Sequence, residues 1–149
     1  MKKIISYILL IIWLFFIFYF SNQPGDISGG ESSSIIYNTF ELIYNIFNIP
    51  TNNLGSVVEI LHNPVRELMH FLEYLILGIL LINVLKQNSI KYNVILMSIM
   101  FSFVYAVTDE IHQVFVPGRT FEYLDILLDT LGSILGSIVG YKMFYRKDV

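Results

Sequence analysis

The chain has 149 residues, 55% of them hydrophobic and 14% charged, with a net charge of −3. A soluble domain carries about a quarter charged residues, so a water-soluble globule is excluded and lipid is needed to cover the apolar surface. The acidic balance argues against nucleic acid as a partner. The absence of cysteine excludes disulfides, thiolate metal sites and a cysteine nucleophile.

Four runs suit a bilayer core of about 30 Å, which takes roughly 20 helical residues. They cover approximately residues 4–20, 64–85, 92–108 and 124–145 of a single domain, 1–149. Lipid forces each to be helical, because every backbone group must be bonded within its own segment, and none alternates like a barrel strand. The predicted fold is all-α, a polytopic membrane helix bundle with four transmembrane helices. Lys2 and Lys3 before the first run suggest a signal peptide, but the run exceeds a typical h-region and Ser21-Asn22-Gln23-Pro24 offers no small-x-small cleavage site. An uncleaved anchor is expected.

Between the first two spans, Ser21 to Ser34 is rich in Ser and Gly, with a turn signal at Pro24-Gly25. Ile36, Phe40, Ile43 and Phe47 then recur at helical spacing. They predict a short amphipathic helix in the first outer loop, lying in the interface or packed over the mouth of the bundle. Asn63-Pro64 reads as a helix start, asparagine as cap and proline at the first helical position.

Lysine and arginine set the orientation. Lys2, Lys3, Lys86, Lys91, Lys142, Arg146 and Lys147 share the side of the N-terminus, leaving only Arg66 and Arg119 on the other. Both termini are expected in the cytoplasm, and eleven of the twelve acids lie on or near the outer side.

That topology gathers the polar residues at one membrane level. Arg66, His70, Glu73 and Tyr74 share a face of the second helix. Asp109, Glu110, His112 and Gln113 end the third, with Asp109, His112 and Gln113 on one face if the helix continues that far. Pro117-Gly118-Arg119 marks a turn, and Asp125 and Asp129 share a face of the fourth helix with Gly132 and Gly136. Ionisable groups at membrane depth must pair or face water. One reading is an ion-pair cluster in which Arg66 or Arg119 neutralises acids and joins three helices; another is a polar pocket open to the outer face, and the two are compatible. The set offers acid–base groups without a G-x-S-x-G elbow, a P-loop or an H-E-x-x-H. No cofactor is predicted; a divalent metal at His70, Glu73, Asp109 and His112 fits the spacing, which any amphipathic helix can produce. His62 stands alone in a loop and is expected to be solvated. Gly132, Gly136 and Gly140 form a double G-x-x-x-G that suits close packing against another span or a homodimer interface.

Asp109-Glu110-Ile111-His112-Gln113, Phe115-Val116-Pro117-Gly118-Arg119, and Asp125 and Asp129 with Gly132 and Gly136 together resemble the signature of the VanZ-like family. So do Arg66-x-x-x-His70-Phe71-x-x-Tyr74-x-x-x-Gly78 and Ser21-Asn22-Gln23-Pro24-Gly25, and the resemblance spans Trp13 to Gly140. It implies a small bacterial cytoplasmic-membrane protein of four or five spans, linked to resistance to teicoplanin-type glycopeptides, and brings no reaction. Glu67 departs from the lysine or arginine of many members, and Phe121-Glu122 is bulkier than the pattern. Three functions follow as expectations: a non-enzymatic envelope protein whose pocket binds a membrane lipid, a lipid-linked cell-wall component or the antibiotic's polar part; an enzyme on a lipid-linked or phosphate-bearing envelope substrate with Asp109 or His112 as base; and an ion or proton pathway.

Overall fold

The structure, a computed structural model, describes residues 2–47, 54–90 and 93–145. Lys91, Tyr92, Arg146, Lys147 and Asp148, which enter the charge reading or the start of the third span, lie outside the described residues. Five helices follow in order: α1 (Lys2–Ser21), α2 (Gly25–Phe47), α3 (Leu54–Gln87), α4 (Val94–Gln113) and α5 (Tyr123–Phe144), with no strand among the described residues. All but α2 are long and apolar enough to cross a membrane.

Two helices begin earlier than the sequence suggests. α2 absorbs the Ser/Gly-rich stretch and starts at Gly25, directly after Pro24. Ser34 Oγ donates to the Gly30 carbonyl at 2.8 Å and Thr39 Oγ1 to that of Ile35 at 2.7 Å, so these hydroxyls are satisfied within the helix. Of the predicted apolar stripe only Ile36 is buried, while Ile43 and Phe47 are exposed.

α3 starts at Leu54, not at Asn63-Pro64, and carries Pro64 in its interior. An interior proline costs about 3 kcal/mol through a lost hydrogen bond and a clash with the carbonyl four residues back. That carbonyl belongs to Ile60. Burial of Leu54 and packing of α2 on α3 hold the extra turns. At 34 residues α3 is about 51 Å long, well beyond a hydrocarbon core of about 30 Å.

α1, α3 and α4 share an apolar core of Leu10, Ile17, Tyr74, Leu77, Leu81, Val84 and Ala106, while the inward faces of α4 and α5 are rich in small and polar residues. α4 buries Ser98, Ser102, Ala106, Asp109, Glu110 and Gln113, and exposes Leu96, Met100, Phe103 and Val104. α5 exposes Leu127, Leu131, Leu135 and Ile138 and turns its glycines, serines and aspartates inward. With no hydrophobic drive between helices in lipid, small residues that allow close approach hold such a bundle.

The tightest pairing is α3 with α5. A Cβ at Gly132 would overlap the Phe71 carbonyl, and one at Gly136 the Leu75 carbonyl; one at Gly140 would sit 3.1 Å from Ile79 Cα. Gly78 answers from α3, where a Cβ would lie 2.6 Å from the Ser133 carbonyl. The glycine ladder is therefore filled by α3 of the same chain. α1 is fastened by Trp13 Nε1 donating to the Glu73 carbonyl at 2.9 Å and by Tyr105 Oη donating to the Leu14 carbonyl at 2.7 Å.

Candidate functional site

α1 and α4 finish, and α5 begins, at the end of the bundle where the polar part of α3 passes. Arg66 Nη2 lies 2.8 Å from Asp125 Oδ2 and 2.9 Å from Glu122 Oε2. One helical turn on, His70 Nε2 is 3.7 Å from Asp125 Oδ2 and Nδ1 is 3.5 Å from Asp129 Oδ1. Asp125 and Asp129 are each 1% exposed, so Arg66 supplies Asp125 with counter-charge that solvent cannot, and His70, when protonated, does the same for both. Arg66 does not pair with Glu73, as an ion-pair reading of one helix face could suggest; the partners are on α5 and its leading residue.

The turn between α4 and α5 is tied down from both sides. Glu110 is fully buried, and its Oε2 accepts the Glu122 backbone N–H at 2.9 Å. Arg119 donates from Nε to the Gln23 carbonyl at 3.2 Å, from Nη2 to that of Phe20 at 3.3 Å, and from Nη1 to Gln113 Oε1 at 3.4 Å. Gln113 in turn donates to Asp109 Oδ2 at 3.2 Å. Arg119 thus caps the carbonyl end of α1 through two backbone carbonyls, bonds the neutral amide of Gln113 on α4, and forms no ion pair among the described residues. Burial, with Arg66 nearby, pulls its guanidinium below the ordinary value. Gly118, at φ +75°, occupies the left-handed region that glycine tolerates. The adjoining Pro117 carbonyl accepts the Gly25 N–H at 3.0 Å.

A cavity of about 620 Å³ opens beside this cluster, within the range of small-molecule sites. Phe16, Ile17 and Phe20 of α1, Ile35 of α2 and Met69 of α3 form apolar walls. Arg66, His70, Glu73, Asp109 and Arg119 form the polar part. α1 and α2 hardly touch each other, and both flank the space through their contacts with α3. A smaller polar cleft, lined by His62, Arg66, Gln113, Arg119 and Glu122 among others, lies next to it.

Those two spaces divide the residues singled out from sequence. Arg66, His70, Glu73, Asp109 and Arg119 share the cavity, and Gln113 lines the cleft. Asp125, Asp129 and Glu110 stand behind as buried supports. His112 is set apart from the cavity lining: its Nε2 is 3.1 Å from Asn22 Oδ1 and its ring lies 5.0 Å from that of Phe18. His70, Glu73, Asp109 and His112 do not form a metal cage, and no group of three or more His, Asp or Glu among the described residues could hold a metal ion.

Such an array of acids, arginines and small inward residues on a four-span scaffold has a family counterpart: the VanZ/LLP1 family model matches residues 6–145. The chain belongs to the VanZ/LLP1 family. No curated protein and no solved structure matches it.

Sequence reasoning overlooked several parts of this VanZ/LLP1 site. The Phe20 and Gln23 carbonyls are backbone acceptors, visible only once α1 ends beside Arg119. Glu122, which read as a departure from the family pattern, supplies a carboxylate to Arg66 and its N–H to Glu110. Its position three residues before Asp125 was the available signal.

Proposed function

We propose that this VanZ/LLP1 protein binds an amphiphile of the bacterial envelope at the outer face of the cytoplasmic membrane, and that this binding underlies a link to teicoplanin-type glycopeptide resistance. One observation carries the reading: a single cavity joins apolar walls from three helices to a polar floor containing Arg66, Glu73 and Arg119. An amphiphile's apolar part fits against Phe16, Ile17, Ile35 and Met69 and its headgroup against the floor. Burying apolar area stabilises binding by about 25 cal/mol per Å², and the charged floor selects the headgroup. The outer placement is supported by the lysine and arginine bias of the sequence.

The test is cellular. A glycopeptide-susceptible Gram-positive host expressing the wild-type chain should show lowered teicoplanin susceptibility. Asp109→Asn and Arg119→Gln, at matched membrane levels, should remove that effect. Unchanged susceptibility with the wild type would count against the resistance link, and full effect in both variants against the cavity as its seat.

A second reading, an enzyme acting on a phosphate-bearing envelope substrate, is favoured by His70, which lines the cavity with Asp125 and Asp129 near its two ring nitrogens. Carboxylate-held histidines of this kind serve as acid–base groups. His112, bonded to Asn22, does not fit the role of base.

A further inference from the structure

We propose that the headgroup taken by this cavity is zwitterionic, with a phosphate at Arg119 and a primary ammonium at Glu73, as in an aminophospholipid. The proposal rests on the amphiphile reading above and names its ligand class.

The partners already present decide which charges remain available. Arg66 is engaged by Glu122 and Asp125, and His70 by Asp125 and Asp129. Arg119 bonds only neutral oxygens, so its positive charge has no carboxylate partner among the described residues. A half-buried guanidinium with no carboxylate in direct contact suits a phosphate oxygen.

Glu73 is the complementary case. It lines the same cavity, and among the described residues its carboxylate makes no hydrogen bond and no ion pair. Asp109, also in the lining, has Gln113 as a donor. A carboxylate inside a membrane-spanning helix requires a partner or water, and the only nearby imidazole, that of His70, is turned to α5. An ammonium brings three donors and the opposite charge.

Charge balance excludes the simpler headgroups. Among the described residues, the carboxylates Glu73, Asp109, Glu110, Glu122, Asp125 and Asp129 outnumber the two arginines, Arg66 and Arg119, at this end of the bundle. A purely anionic headgroup would add to that acid surplus and set its phosphate against Glu73. A purely cationic one would bring like charge to Arg119. A group carrying both signs matches Glu73 and the charge of Arg119, neither of which has an ion-pair partner among the described residues, and the apolar walls beside them receive acyl chains.

The experiment uses the full chain, delipidated in detergent and titrated with three lipids of identical acyl chains: phosphatidylethanolamine, its N-acetyl derivative and phosphatidylglycerol. Bound lipid is read by native mass spectrometry. The N-acetyl compound keeps the phosphate and loses the ammonium. Phosphatidylethanolamine should bind about tenfold more tightly than either competitor, the scale of one charge-assisted hydrogen bond. Glu73→Gln should erase that preference, weakening phosphatidylethanolamine and, with the carboxylate's repulsion gone, tightening phosphatidylglycerol, while Arg119→Gln should weaken all three. Equal binding of the three lipids, or a preference that survives Glu73→Gln, overturns the zwitterion assignment and leaves the amphiphile reading standing. Binding of none of them overturns both. If Glu73→Gln does not fold, the wild-type ratio of phosphatidylethanolamine to its N-acetyl derivative decides alone.

Discussion

Arg66 Nη2 reaches Asp125 Oδ2 at 2.8 Å and Glu122 Oε2 at 2.9 Å, so one cation on α3 holds both the first turn of α5 and the residue that precedes it. Asp125 is almost wholly buried and Arg66 is half-buried. Removing one partner of a buried pair costs about 3–5 kcal/mol; the partial exposure of Arg66 brings the expectation to about 2–3 kcal/mol. Arg66→Ala should lower the unfolding midpoint in detergent accordingly, and adding Asp125→Asn should recover part of the loss. Strictly additive losses in that cycle would show that the pair does not interact.

Gly136 has no space for a side chain, because a Cβ there meets the Leu75 backbone. Gly136→Leu should destabilise the chain by about 3 kcal/mol or more, at the upper end of overpacking effects. Because the neighbour is α3 of the same chain, the loss should be independent of protein concentration. Gly55→Ala, where nothing lies within 4 Å, should be neutral or stabilising by up to about 1 kcal/mol. A concentration-dependent melting shift in Gly136→Leu would instead place the ladder at a dimer interface.

Arg119 is expected to hold the end of α1. Its three donors reach Phe20, Gln23 and Gln113, so Arg119→Ala should cost about 2 kcal/mol. It should also speed hydrogen exchange around residues 21–25. Arg119→Lys should not restore protection, since a single ammonium cannot span the planar fork. Wild-type exchange in either variant would assign the α1 end to other contacts.

The orientation expected from the lysine and arginine bias can be tested directly. A phosphatase reporter fused after Asn53 should be active outside, and one fused at Val149 should be silent. Activity at Val149 would reverse the topology.

The four spans were legible because their apolar runs match the membrane thickness, and the polar level was legible because topology aligns three helix ends. The true start of α3 was not, since Asn63-Pro64 carries the local signal of a helix start while burial of Leu54 and packing by α2 override it. The contribution of α1 was hidden for another reason: Arg119 recognises carbonyls, which every residue has. Periodicity placed Asp109 and His112 on one face, yet their environments diverge, Asp109 toward Gln113 and His112 toward Asn22. A helical wheel gives direction but not the neighbour met in that direction.

Whether the cavity holds an amphiphile is tested most directly by weighing the intact protein with what it carries. Gly30 lines the cavity, and a Cβ there meets nothing within 4 Å, so Gly30→Trp is the substitution chosen to occupy the space. Native mass spectrometry after gentle detergent extraction should find the wild-type chain with one bound amphiphile and Gly30→Trp without it, at unchanged melting temperature. A wild-type chain that emerges free of lipid, or a stable Gly30→Trp that carries the same adduct, would contradict the account.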